Sequence, residues 1–201
     1  MLKAILGDIT KLKVDAIVNA AQNSLIRGGG VDGAIHQAAG YALQEECLSL
    51  NGCATGDAKA TKAYGLPAKY VIHTVGPVWR PRHLDGTEEK VLASCYRRSL
   101  EVADALGLKS IVFPAISTGI YGFPKELAAK IAVAEAASSS GNVDSIFFVC
   151  FDEETYAIYA RALSHCDSLS LLGASRLLFA GIRGTRLVPA PIKGSDGYYG
   201  Y

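Results

Sequence analysis

Residues 19–36 read Asn19-Ala20-Ala21-Gln22-Asn23-Ser24-Leu25-Ile26-Arg27-Gly28-Gly29-Gly30-Val31-Asp32-Gly33-Ala34-Ile35-His36. Three consecutive glycines let the backbone bend and approach a ligand where a side chain would stand in the way. The segment beyond them, Asp32 to Leu50, has helical apolar spacing at Ala34, Ile35, Ala38, Ala39, Leu43, Cys47 and Leu48. A flexible loop therefore opens into a helix N-terminus, where unpaired N–H groups and the helix dipole favour a phosphate. Asp32 is an anion inside that seat. It is accordingly read as a residue for chemistry or polarisation, with the phosphate left to the neighbouring amides.

Outward from this stretch, short β-branched or apolar runs predict strands at Lys3 to Leu6, Ala16 to Asn19, Ala58 to Ala63, Tyr70 to Val75, Ile111 to Ala115 and Ser145 to Phe151. Helical spacing recurs at Thr87 to Leu106, Pro124 to Ser138 and Glu153 to Ser164. Such alternation predicts an α/β protein with helices on both faces of a mixed, largely parallel sheet. Ligands bind outside the carboxyl ends of strands in that architecture. The glycine-rich loop follows the second strand, Ile116 to Pro124 the fifth and Asp152 the sixth, all as this rule requires.

The loop Ser117-Thr118-Gly119-Ile120-Tyr121-Gly122-Phe123-Pro124 ends in a proline at a plausible helix start. It is a second candidate anion cradle, and a phosphate held between two such loops points to a diphosphate-containing ligand. Gly28, Gly30 and Gly33 also match the Gly-x-Gly-x-x-Gly spacing of dinucleotide-binding proteins. That fingerprint places its glycines directly at a strand end, whereas here residues 20–27 intervene. Asp8, after the first strand, is placed either to accept from the exocyclic amine of a purine or to serve as a turn or cap residue. Phe151 closes the last strand, where its ring either stacks on a base or joins the core. His36 and His73 lie on an apolar helix face and inside an apolar strand, as packed, hydrogen-bonded histidines do. The chain offers no Ser-His-Asp or Cys-His arrangement and no pair of carboxylates for two-acid glycoside hydrolysis.

The 201 residues are half hydrophobic and carry a net charge of +1. That is ample for a buried core. There is no basic stripe for long nucleic acid and no apolar run of membrane-spanning length, so a soluble cytoplasmic protein is expected. Five widely spaced cysteines, Cys47, Cys53, Cys95, Cys150 and Cys166, form no Cys-x-x-Cys pair and read as reduced, packed thiols rather than metal ligands. After Asp167 the composition changes. Residues 168–201 carry Arg176, Arg183, Arg186 and Lys193 against Asp196, and their spacing suggests a short helix from Leu169 to Phe179 before a Gly- and Pro-punctuated tail.

Many ordered motifs carry a resemblance over Leu2 to about Ser164. They are Gly7-Asp8-Ile9-Thr10, Val14 to Ala21, Gly28 to His36, Cys53-Ala54-Thr55-Gly56, Leu66-Pro67-Ala68, Val71 to Trp79, Phe113 to Gly122 and Phe148-Val149-Cys150-Phe151-Asp152. The chain resembles macro domains of the MacroD type, an ADP-ribose-binding family that includes bacterial O-acetyl-ADP-ribose deacetylases and mono-ADP-ribosylhydrolases. The resemblance implies a three-layer α/β/α macro domain over residues 1–167 with a central sheet of about six strands, and a C-terminal extension over 168–201. It also implies that Asp8 recognises the adenine amine with Ile9 beside it, and that Phe151 lies along the adenine. The amides of Ser117, Thr118, Gly119, Ile120 and Tyr121 would embrace the diphosphate, and Gly29, Gly30 and Val31 would face the distal ribose and phosphate. Asn19 falls within the family's ligand-binding motif. Asp32 would orient or activate a water, and Tyr121 would close over the distal ribose.

Two positions depart from the family pattern. Gln22, followed by Asn23, stands where catalytic members carry the asparagine that holds the distal ribose, and Arg27 replaces a fourth glycine. The expected activity is hydrolysis of the acetyl ester of O-acetyl-ADP-ribose, or of the bond between ADP-ribose and an acidic protein side chain. Gln22 or Asn23 would hold the ribose, without metal or cofactor. The alternative is an ADP-ribose-binding reader in which Gln22 and Arg27 have traded turnover for binding. The expected partners are ADP-ribose or O-acetyl-ADP-ribose and mono-ADP-ribosylated proteins.

Overall fold

Among the described residues the β-branched runs form six strands and the helical segments five α-helices. In chain order these are β1 (Leu2–Leu6), β2 (Ala16–Ala20), α1 (Gly30–Ala39), α2 (Tyr41–Ser49), β3 (Ala58–Lys62), β4 (Tyr70–Thr74), α3 (Thr87–Ala105), β5 (Ser110–Phe113), α4 (Lys125–Ser138), β6 (Ser145–Cys150) and α5 (Glu153–Leu171). The structure, a computed structural model, describes residues 1–80 and 86–171. The sheet order is β1-β6-β5-β2-β4-β3. All neighbouring pairs are parallel except β3 with β4, which are antiparallel, so the sheet is the mixed, largely parallel one expected.

Side chains alternate between the two faces of each strand, and each face has its own apolar layer. Val18, Ile72, Ile111, Phe113 and Phe148 pack against Leu92, Tyr96, Ala129, Val133 and Tyr159 of α3, α4 and α5. On the opposite face Ile17, Val71, Val112 and Val149 pack against Ile35, Ala39, Leu43 and Cys47 of α1 and α2. Burying one such side chain contributes about 1.5–3 kcal/mol. These two layers hold the sheet rigid beneath the loops at its carboxyl edge.

Three details differ from the expectation. The helix read as continuous from Asp32 to Leu50 is two helices. Gly40 sits at φ 91° and ψ 177°, a conformation confined to glycine, with its N–H bonded to His36 O at the end of α1 and its carbonyl accepting from Leu43 N at the start of α2. A single 3₁₀ turn, Ile9–Lys11, follows β1 because Asp8 caps it by accepting from Thr10 N. Helix α5 continues past Ser164 to Leu171. The rest of the second helix read at Leu169 to Phe179, and the tail to Tyr201, lie outside the described residues.

Strand and helix ends are fixed by local chemistry. Asp152 starts α5, its Oδ1 accepting from Thr155 N at 2.8 Å and its Oδ2 from Thr155 Oγ1 at 3.0 Å, and these bonds hold its carboxyl below the usual range. Asp15 ties the start of β2 to the start of β5 by accepting from Lys109 N at 2.9 Å and Ser110 N at 3.0 Å. Its pKa falls to about 2, chiefly through Lys69, whose Nζ lies 2.8 Å away. Cys47, Cys53, Cys95 and Cys150 are reduced and buried, and no helix among the described residues is long and apolar enough to cross a membrane.

Candidate ligand cleft and its buried polar network

The chain changes direction between β2 and β5. From β5 the sheet is built outward through β6 to β1, and from β2 outward through β4 to β3. Loops leaving β2 and β5 therefore diverge and leave a crevice at the carboxyl edge, the place where such sheets take ligands. A cleft of about 290 Å³ opens there. Its walls are residues 20–22 and 28–32 on one side, residues 115–117 and 119–121 on the other, and Gly76 after β4.

Both walls present bare backbone donors. Helix α1 begins at Gly30 with Gly29 as its cap, so the N–H groups of Gly29, Gly30, Val31 and Asp32 have no intrahelical acceptor. Across the cleft, Thr118 N bonds Ala115 O, Gly122 N bonds Gly119 O and Phe123 N bonds Ser117 O. Those three bonds fold the loop so that, among the described residues, the N–H groups of Ser117, Gly119, Ile120 and Tyr121 meet no acceptor. Two rows of free amides thus face one crevice, with the α1 dipole behind the first row. Among the described residues, no Lys, Arg or His lines it.

Ser117 adds a hydroxyl. It is buried, holds φ 65°, and its Oγ has no hydrogen-bond partner among the described residues. Left-handed backbone at a non-glycine residue costs about 1 kcal/mol or more, and such strain collects at functional sites. Gly76 makes room for it: a Cβ there would lie 2.1 Å from Ser117 Oγ and 2.8 Å from Ile116 Cγ2. Trp79 N bonds Tyr121 O at 2.8 Å, and the Trp79 ring packs on Phe123 at 4.7 Å, so the segment after β4 braces the same loop.

Among the residues singled out from the sequence, the structure brings Gln22, Gly29, Gly30, Val31, Asp32, Ser117, Gly119, Ile120 and Tyr121 into this cleft. Others stand elsewhere. Thr118 turns inward, its Oγ1 donating to Ala115 O at 2.9 Å. Asn23 does not join Gln22, because its Nδ2 donates to Cys53 O and Thr55 Oγ1, both at 3.0 Å, and so pins the loop to the segment before β3. Ile9 is in the core. Asp8 uses Oδ1 to accept from Thr10 N at 2.9 Å and Thr10 Oγ1 at 2.7 Å, bonds that lower its pKa and leave Oδ2 open. Phe151 is 90 % exposed rather than packed. Leu6 pairs with Cys150 in the β1–β6 register, so Asp8 and Phe151 follow adjacent strand ends farther along the same edge. The sequence reading had assigned no site role to Gly76 or Ala115, although both lie just past strand ends.

Asn19 and Asp32 meet beneath the cleft floor. Asp32 is 5 % exposed, and each carboxylate oxygen is taken: Oδ1 accepts from Asn19 Nδ2 at 2.7 Å and Oδ2 from Gly28 N, with His36 Nε2 at 3.5 Å from Oδ1. The carboxylate thereby ties residue 28 back to the first turn of α1. Gln22 is exposed, and its Nε2 donates to Ile26 O at 2.8 Å, which leaves its Oε1 as the group free to face a ligand.

A three-layer α/β/α sandwich whose crevice at the strand-order switch is walled by two rows of unpaired amides defines the class: an α/β protein with a candidate anion cleft at the carboxyl edge of its sheet. The chain belongs to the macro domain family: the family model described as Macro domain matches residues 18–132. A macro domain-containing protein of Methanosarcina mazei is 56 % identical over 161 residues, covering 79 % of this chain and 85 % of that protein. The mouse ADP-ribose glycohydrolase MACROD2 is 54 % identical over 162 residues, covering 79 % of this chain but 34 % of the longer relative. Among solved structures, a mutant of the Oceanobacillus iheyensis macrodomain with ADPR superposes with a TM-score of 0.78 at 40 % identity, covering 83 % of this chain and 94 % of the other.

Proposed function

We propose that the protein binds ADP-ribose in this cleft and hydrolyses derivatives that carry an ester at the distal ribose. The observation that carries this reading is the pair of facing amide rows, set to hold a diphosphate with no cationic side chain among the described lining residues. The reading is supported by a relative named as an ADP-ribose glycohydrolase and by a similar fold with ADPR. Asp8 and Phe151, next along the edge, are placed for the adenine end, with the open Oδ2 of Asp8 as the acceptor for its amine. The distal ribose then falls between residues 28–32 and Tyr121.

Two substrates present a carbonyl ester at that ribose. For O-acetyl-ADP-ribose, water adds to the acyl carbon, the bond from that carbon to the ribose oxygen breaks, the ribose oxygen leaves and takes up the water proton, and acetate is released. For an ADP-ribosylated glutamate or aspartate, water adds at the anomeric carbon and the protein carboxylate leaves. In either case both Asp32 oxygens are engaged by protein donors, so Asp32 acts chiefly by setting the 28–32 backbone that holds ribose and water. Single-turnover hydrolysis of both substrates, with ADP-ribose calorimetry on the same preparation, tests the reading. The parent is expected to bind and to turn over at least one ester, and Asp32→Ala to lose about 100-fold or more in rate. Hydrolysis by Asp32→Ala at the parent rate would remove Asp32 from the mechanism. The engaged Nε2 of Gln22 favours a second reading, a binding module with weak turnover, and tight binding without hydrolysis of either ester would establish it.

A further inference from the structure

We propose that His73 is a positioning residue for the cleft, acting through Asn19 on the Asp32 carboxylate and thereby on the backbone of residues 28–32. Asn19 and His73 are register partners on the parallel strands β2 and β4, and Thr61 of β3 lies beside them; all three are at most 1 % exposed. They face the α1–α2 layer, which is apolar apart from Asp32 and His36 of α1, the His36 ring centroid lying 6.2 Å from that of His73. A continuous polar chain therefore runs from Thr61 through His73, Asn19 and Asp32 to Gly28 N at the cleft wall.

The direction of each bond follows from Asp32. A carboxylate oxygen 2.7 Å from the Asn19 amide requires its nitrogen, since a carbonyl there would set two acceptors together. The same Nδ2 lies 3.1 Å from His73 Nδ1, so its second hydrogen is donated to that ring nitrogen. His73 Nδ1 is then an acceptor, and the ring proton sits on Nε2, aimed at Thr61 Oγ1 at 2.9 Å with Cys47 Sγ at 3.6 Å. A doubly protonated ring would oppose Nδ1–H to Asn19 N–H. Burial reinforces the neutral form, pushing the His73 pKa down to about 3. The cost of this arrangement is visible in Asn19 Oδ1, which is buried with no partner among the described residues. Without His73 the second Asn19 hydrogen would be orphaned too, and the amide would lose one of the two bonds that fix its rotation.

The same chain decides against a metal. His36, Cys47 and His73 place one ligand atom each within 4.8 Å of one another, a grouping suited to a soft cation. Binding at His73 Nε2 needs a lone pair where the tautomer puts the proton. Burial also raises the Cys47 thiol to about 11, away from the thiolate a metal would take.

The kinetic part of the proposal rests on the hydrolase reading above, whereas the tautomer does not, so their failures are distinguishable. Long-range ¹H–¹⁵N correlation spectra of the full chain are expected to show a neutral Nε2–H imidazole for His73 between pH 5 and 8, with or without ADP-ribose. An Nδ1–H tautomer, or loss of the Nε2–H pattern on titration with Zn²⁺ alone, would overturn the proposal. His73→Phe is expected to lower kcat by 10–100-fold with KM within about threefold, because ligand is held by many amides and turnover by one geometry. His73→Asn restores an acceptor near the Nδ1 position, and is expected to recover kcat to within about threefold of the parent. Equal losses in the two variants, each verified as folded by circular dichroism, would reduce His73 to packing and overturn it.

Discussion

At the scale of single residues, the cleft depends on atoms that are absent as much as on those present. Gly33 lies in the first turn of α1, and a Cβ there would meet the carbonyl oxygen of Gly28 at 2.8 Å. That obstacle is backbone and cannot swing aside. Gly33→Ala should strengthen the helix by up to about 1 kcal/mol of propensity while pushing residue 28 off its bond to Asp32. The expected result is a lowered urea midpoint, because the backbone clash and the lost bond to the buried Asp32 carboxylate outweigh the gain in propensity, with ADP-ribose affinity reduced about tenfold or more by calorimetry. Parent affinity in a folded Gly33→Ala protein would show that the position of residue 28 does not matter to the ligand. Gln22 raises the converse case. Its longer side chain reaches Ile26 O, and an asparagine at the same Cα falls short of it. Gln22→Asn is expected to free the amide toward the cleft and raise single-turnover hydrolysis about tenfold, leaving ADP-ribose affinity within a few fold. An equal or lower rate would mean that the glutamine is no handicap.

At the scale of elements, the joint between α1 and α2 is set by one residue. Gly40 has φ 91° and ψ 177°, and a Cβ there would touch nothing within 4 Å, so the cost of Gly40→Ala is purely conformational. It should destabilise the protein by about 1–3 kcal/mol in urea unfolding, because a side chain in that backbone region is strained. A change below about 0.5 kcal/mol would show that the joint can relax into a continuous helix. The same residue marks where sequence reading ran short. Apolar spacing continued through Gly40 from Ile35 to Leu43 and Cys47, because both helices cover the same layer of core, and periodicity reports the shared face and not the bend. The strands were legible to within two residues, since β-branched runs bounded by turns leave few alternatives. The short turn at Ile9–Lys11 was not, because only the cap geometry of Asp8 reveals it. Of the candidate site, the two amide loops were legible from glycine and strand-end position. The orientation of Asn23 away from Gln22 was not, because adjacent residues in a loop take opposite directions only once Cys53 and Thr55 are in place.

At the scale of the whole molecule, the buried polar chain makes global stability depend on pH. His73 is fully buried, and its pKa falls from an ordinary 6.5 to about 3, first through desolvation and then through the neighbouring His36. His36 is lowered too, by desolvation, against the pull of Asp32, which raises it. In the unfolded chain both rings take up a proton as pH falls through about 6.5, whereas in the folded chain they resist. The unfolded state therefore binds more protons below that point, and stability present above pH 6.5 is lost progressively as pH falls from 6.5 toward 3. One such proton is worth about 1.4 kcal/mol per pH unit once the unfolded histidine is fully charged, so His73 alone removes about 2 kcal/mol between pH 6.5 and 5 at most. Carboxylates add little in this window: Asp15, with its pKa near 2, weakens the fold only as pH drops below the ordinary carboxylate value of 3.8. Urea unfolding of the parent should thus lose stability between pH 7 and 5, and His73→Asn, which removes one titrating group, should show a visibly shallower slope. A parent whose stability is level across this interval would mean that His73 is not held neutral by the fold. The rigidity of the relay beneath the cleft would then lose its physical basis, because a ring that protonates in place would turn Nδ1–H against Asn19 and release Asp32.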